Sequence, residues 1–99
     1  MTHGGYVYII TNKNNSVLYT GVTSNLKIRI WEHITKVFPE SFSAKYNCKK
    51  LIWYEQFDNI VLAINREKQI KGGSRMAKIK IIESVNPQWK NLWEEIKEW

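Results

Sequence analysis

The sequence predicts an α/β (α+β) fold with the element order ββαβααα. Three observations carry this. Two β-branched and aromatic runs near the start are joined by pure turn chemistry, a third such run lies mid-chain, and four segments set apolar residues at helical spacing behind capping residues. Residues 6–11 read as the first strand, 12–16 as a turn and 17–22 as the second strand, which makes a β-hairpin. Alternation puts Tyr6, Tyr8 and Ile10 on one face of the first strand, and Val17, Tyr19 and Gly21 on one face of the second. Gly21, near a strand end, admits a close approach to the backbone.

Ser24-Asn25 caps a first helix over residues 26–36, with Leu26, Ile30, Ile34 and Val37 as its apolar stripe and Pro39 beyond it. Residues 40–47 lack a period and read as a loop; residues 49–57 read as the third strand. Asp58-Asn59 caps a second helix over 60–71, closed by Gly72-Gly73, and Ser74 caps a third over 75–84. A fourth is expected from Asn86-Pro87, with Pro87 in its first position and Trp89, Leu92, Trp93 and Ile96 as its stripe. No repeat or linker interrupts the chain, so one domain over 1–99 is expected.

Composition excludes several classes. One cysteine, Cys48, allows no internal disulfide, and His3 and His33 add too few soft donors for a four-ligand zinc site. Apolar runs such as residues 60–64 fall far short of the roughly 20 residues of a membrane helix. The first residues lack a basic head and an apolar signal core, so a cytoplasmic protein is expected. Fifteen Lys and Arg against nine Asp and Glu give a net charge of +6, which suits a polyanionic partner. Ile28 and Trp31 lie off the first helix's stripe, either packed by the C-terminal helix or exposed for a partner.

Two helices break the apolar pattern. The second has the stripe Ile60, Ala63, Ile64, Glu67, Ile70, so a carboxylate stands where the period demands an apolar side chain. A salt bridge to a neighbour such as Arg29 would compensate it, as would a bound cation. On the first helix, Arg29 and His33 stand four apart and flank the stripe. With Tyr8 and Tyr19 they are expected to converge with Glu67 on one sheet face. Such a set suits phosphodiester hydrolysis, which needs a base for water, cations for the developing phosphorane charge and a cation or proton for the leaving alkoxide. A tyrosine base is unusual: a pKa near 10 leaves roughly one part in a thousand ionised at pH 7, and nearby cations and metal-bound water would have to lower that barrier.

These residues carry a family likeness. The sequence resembles the GIY-YIG nuclease superfamily, and most of all its short stand-alone bacterial members related to the N-terminal nuclease domain found in excinuclease. Tyr6-Val7-Tyr8 is similar to the GIY element and Tyr19-Thr20-Gly21 to YIG, with Tyr6 for its Gly and Thr20 for its Ile. Arg29 and His33 follow Gly21 by eight and twelve residues, the family's spacing for its Arg and its His or Tyr. The segment around Glu67 resembles the one whose Glu binds metal, and Asn86 sits where many members place an Asn. The resemblance implies a three-stranded antiparallel sheet flanked by helices, and hydrolysis of DNA with one divalent ion, Mg²⁺ or Mn²⁺. It implies Tyr8 as base or water-orienting group, Tyr19 near the scissile phosphate and Arg29 on the developing charge. His33 would relay a proton, Glu67 would hold the metal and Asn86 would support the site.

Arg66, Lys68, Lys71, Arg75, Lys78 and Lys80 are set against Glu67 alone, and read either as a solvated helical face or as a phosphate-tracking surface. With no separate targeting module read in the chain, a protein partner is the expected source of target specificity. Three functions fit these residues: a DNA endonuclease, a nucleic-acid-binding module without turnover, and a protein-interaction domain with a basic face.

Overall fold

The structure is a computed structural model that describes residues 4–99, so His3 lies outside the described residues. Three strands, β1 (Gly5–Thr11), β2 (Leu18–Thr23) and β3 (Lys50–Phe57), form one antiparallel sheet in the order β2-β1-β3. The β1–β2 turn closes because the Asn12 side-chain oxygen accepts from the backbone N–H groups of Ser16 (2.8 Å) and Val17 (3.1 Å). Asn15 takes the left-handed conformation there, with φ 59°. The hairpin register sets Tyr8 opposite Gly21.

The central strand is buried on both faces, so both need cover. Val7 and Ile9 pack against Ala63 and Ile70 of α3 (Ile60–Lys71) and Ile82 of α4 (Arg75–Val85). Tyr8 and Ile10 pack on the other face against Leu26 and Ile30 of α1 (Leu26–Thr35) and Ile96 of α5 (Trp93–Ile96). The capping chemistry operates as read. Asn25, Asn59 and Ser74 each accept a backbone N–H from three residues ahead, at 3.1, 3.0 and 3.1 Å. Gly5 fixes how near α3 can come: a Cβ there would lie 2.8 Å from that of Ala63. Among the described residues, no helix is long and apolar enough to cross a membrane.

Two segments differ from the sequence reading. Residues 40–47 contain a one-turn helix, α2 (Phe42–Lys45), capped by Ser41; one turn is too short to show a period. The expected last helix does not start at Pro87. Asn86 ends α4, Trp89 takes φ 54°, and helix returns only at Trp93. Leu92 meanwhile donates its backbone N–H to Leu51 of β3. Trp89 packs on the α3 face of the sheet, while Leu92, Trp93 and Ile96 pack on the α1 face. Apolar residues at helical spacing therefore serve two faces through a crossing segment. Ile28 and Trp31 are half exposed, beside an open groove bordered by Trp93 and Trp99.

Candidate active site

The site is built outward from Tyr8. Its ring stands on the α1 face of β1 and crosses above Gly21 of β2, where a Cβ would collide with the phenol. The glycine thus opens the lane that the tyrosine occupies. The Tyr8 hydroxyl lies 2.8 Å from His33 Nε2, and His33 Nδ1 lies 2.8 Å from Ser43 Oγ of α2. Ser43 Oγ is in turn 3.3 Å from Ser41 Oγ. Tyr8, His33 and Ser43 are 1%, 8% and 3% exposed, so this chain of hydrogen bonds runs below the surface.

Burial governs the proton affinities. It pushes the Tyr8 phenol up to about 12, with the nearby Arg29 guanidinium offsetting only part of the effect. It also lowers His33 to about 4, with help from the positive charge of Arg29. Arg29 alone does not pull the tyrosine down, because desolvation outweighs it. At neutral pH the pair is a phenol beside a neutral imidazole.

Above the pair lies a cavity of about 160 Å³, bordered by Tyr19, Arg29, Glu32, His33 and Phe42. Arg29 pairs with Glu32 at 3.2 Å and lies over the Phe38 ring. Phe42 stacks on Tyr19 with ring centroids 6.2 Å apart. Tyr8 itself does not border the cavity, because Tyr19, Arg29 and His33 stand around it.

Glu67 reaches this region from the other side. The expectation of five groups on one sheet face is overturned, because α3 packs opposite Tyr8 and His33: each face of β1 needs its own cover. What reaches the site at β2 is the ion-pair partner of Glu67, Lys71. Glu67 Oε2 pairs with Lys71 Nζ at 3.4 Å, and that ammonium lies 5.9 Å from the Tyr19 ring centroid. The Glu67 side chain is only 15% exposed, as its place on the stripe requires. Its ion-pair partner is Lys71, not Arg29, which is paired with Glu32.

Asn86 stands elsewhere. Its amide donates to the carbonyls of Ile52 and Lys90, each at 2.9 Å, and its oxygen accepts from the Lys90 N–H at 3.0 Å. A side chain so occupied is a backbone clamp at the edge of β3, with both N–H groups used within the fold, so the support expected of it is given through the backbone. Of the basic run, Arg66 pairs with Glu55, Arg75 donates to the Asn15 carbonyl and Lys78 to that of Gly73. Lys68, Lys71 and Lys80 are exposed. Sequence reasoning missed Ser43, Phe42 and Glu32. The first two lie in the segment read as a loop, and Glu32 reads as an ordinary solvated residue one position before His33.

A three-stranded antiparallel sheet carrying a buried tyrosine–histidine pair beside a cavity bordered by Tyr19 and Arg29 defines a small α+β domain. The comparisons with known proteins narrow this. The family model described as the GIY-YIG catalytic domain matches residues 4–80, and the chain belongs to that nuclease family. It is 40% identical over 82 residues to UPF0213 protein SH2523 of Staphylococcus haemolyticus, covering 79% of this chain and 93% of the relative. UPF0213 protein CPE1444 of Clostridium perfringens is 38% identical over 95 residues, covering 92% and 96%. Among solved structures, the UPF0213 protein BH0048 of Bacillus halodurans superimposes with a TM-score of 0.57 at 25% identity, over 89% of this chain and 92% of that one.

Proposed function

We propose that the protein is a metal-dependent DNA endonuclease that hydrolyses phosphodiester bonds in DNA repair or structure-specific processing in the cytoplasm. The observation that carries this reading is the buried Tyr8–His33 hydrogen bond beneath a cavity bordered by Tyr19 and Arg29. A phenol of pKa about 12 cannot wait as a phenolate. It serves as a shuttle instead. As water attacks phosphorus, its proton passes to the Tyr8 oxygen while the Tyr8 proton passes to His33 Nε2, so Tyr8 stays neutral and the histidine becomes imidazolium; the P–O bond to the leaving oxygen breaks, and that alkoxide takes a proton from solvent while His33 later returns its own to solvent.

Substrate supports that transfer. Burial is the larger cause of the lowered His33 pKa and the Arg29 charge adds to it; a phosphate drawn onto Arg29 and Tyr19 offsets that second contribution, so the imidazole becomes a somewhat better base. The step requires the hydroxyl of Tyr8, a residue 1% exposed beside Arg29, to be uncovered as Arg29 turns to the phosphate. The donor set fits a lightly held divalent cation and nothing heavier. Both His33 nitrogens are engaged, and no group of three His, Cys, Asp or Glu that could hold a metal occurs among the described residues. Glu67 would hold Mg²⁺ or Mn²⁺ alone, which suits an ion that keeps several waters and shares substrate oxygens. When bound, such an ion stabilises charge on the phosphoryl oxygens. Arg66, Lys68, Lys71, Arg75 and Lys78 track the DNA backbone beside the site, and a protein partner supplies target specificity.

Incubation with flap, nicked and supercoiled DNA, with Mg²⁺, Mn²⁺ or chelator, tests the reading. Metal-dependent cutting supports it. A second reading, a binding module without turnover, draws on the covered Tyr8 and the Lys71-neutralised Glu67. DNA binding without cutting in any metal would establish that second reading instead.

A further inference from the structure

The histidine can carry its single ring proton on either nitrogen, and the partners decide which. With the proton on Nε2, His33 would donate to the Tyr8 oxygen, and the Tyr8 O–H would need another acceptor. None is at hand: Tyr8 is 1% exposed, the acceptor its hydroxyl meets is His33 Nε2, and the Arg29 guanidinium beside it only donates. With the proton on Nδ1, every donor is placed. Tyr8 donates to Nε2, Nδ1–H donates to Ser43 Oγ, and the Ser43 hydroxyl turns to Ser41 Oγ at 3.3 Å. Ser43 is held for this by its place in α2, where its carbonyl accepts from the Cys48 N–H at 2.8 Å.

We propose that Ser43 is a positioning residue: by accepting from Nδ1 it holds His33 as the Nδ1–H tautomer and leaves Nε2 open to receive the Tyr8 proton. This rests on the hydrolytic reading above for its purpose, but not for its geometry. Once Nε2 is protonated, the same hydroxyl stabilises the imidazolium through a charge-assisted bond. Substrate never needs to touch Ser43.

The test reads the tautomer directly. Long-range ¹H–¹⁵N NMR of ¹⁵N-histidine-labelled protein has two histidines to resolve, His3 and His33. At pH 7.5, wild-type His33 should show a pyridine-like Nε2 and a protonated Nδ1. Ser43→Ala leaves Nδ1–H without its acceptor while the Nε2–H form still leaves the Tyr8 O–H without one, so the Nδ1–H preference should weaken to a mixture with a measurable Nε2–H population, and Ser43→Thr, which keeps the hydroxyl, should restore the wild-type pattern. In single-turnover DNA cleavage, Ser43→Ala should lose roughly ten- to a hundredfold in rate with DNA affinity unchanged, and Ser43→Thr should recover it. A wild-type Nε2–H tautomer, or a tautomer unmoved in Ser43→Ala, overturns the inference even if the wild type cuts DNA. If Ser43→Ala does not fold, Ser43→Gly, which also removes the hydroxyl, takes its place with the same expected and overturning outcomes. A tautomer that shifts as expected in a protein that cuts nothing leaves the positioning role standing and removes the hydrolytic reading.

Discussion

The buried histidine makes stability depend on pH in a way that can be worked out beforehand. In the unfolded chain His33 takes up a proton near its ordinary pKa of 6.5; in the folded protein it does so only at about 4. Between those values the unfolded state binds the proton and the native state does not, so acid favours unfolding. The contribution is fully present above pH 6.5 and is lost as pH falls toward 4. Its full size is about 3 kcal/mol, of which about 2 kcal/mol should be gone by pH 5. Urea unfolding from pH 8 to pH 5, for wild type and His33→Gln, isolates it. Gln keeps polar atoms for Tyr8 and Ser43 but does not titrate, so the other groups cancel in the comparison. Wild type should lose about 2 kcal/mol more than the variant over that range. Parallel curves would refute the buried neutral imidazole.

Other parts of the structure make their own demands. Gly21→Ala should push the Tyr8 phenol from its lane, destabilising the fold by about 1–3 kcal/mol in chemical denaturation and displacing the Tyr8 and His33 NMR signals together. Asn86→Ala should destabilise by about 1–3 kcal/mol through the unpaired groups of Ile52 and Lys90, while any cleavage per folded molecule stays near wild type. Replacing Lys71 and Arg75 together should flatten the log–log salt dependence of DNA binding by roughly two units, since each phosphate contact contributes a slope of about −0.9; an unchanged slope would mean these residues only face solvent.

Much of this was legible in the sequence for identifiable reasons. Strand alternation placed Tyr6, Tyr8 and Ile10 together, and the caps Asn25, Asn59 and Ser74 set three helix starts, because both signals are local. The anomaly of Glu67 on an apolar stripe was likewise visible as a break in period, and its side chain is indeed largely covered. What stayed hidden depends on tertiary arrangement. Periodicity says that α3 has a buried face but not which side of the sheet it covers, so the approach of Lys71, the partner of Glu67, to Tyr19 could not be read. The stripe from Trp89 to Ile96 looked helical because spacing does not reveal that Asn86 and Leu92 bind the backbone of β3 in between. Ser43 gave no signal at all: a serine in a short irregular stretch gains meaning only from the imidazole that folds against it.

The central claim is that the Tyr8–His33 pair moves the proton of a hydrolytic reaction, and Tyr8→Phe tests it most directly. Phe keeps the ring in its lane above Gly21 and its packing on α1, and removes only the hydroxyl. In single-turnover cleavage of DNA with saturating Mn²⁺, the rate should fall by about 100-fold or more while DNA affinity stays within about twofold of wild type. Cleavage by Tyr8→Phe at the wild-type rate would contradict the account.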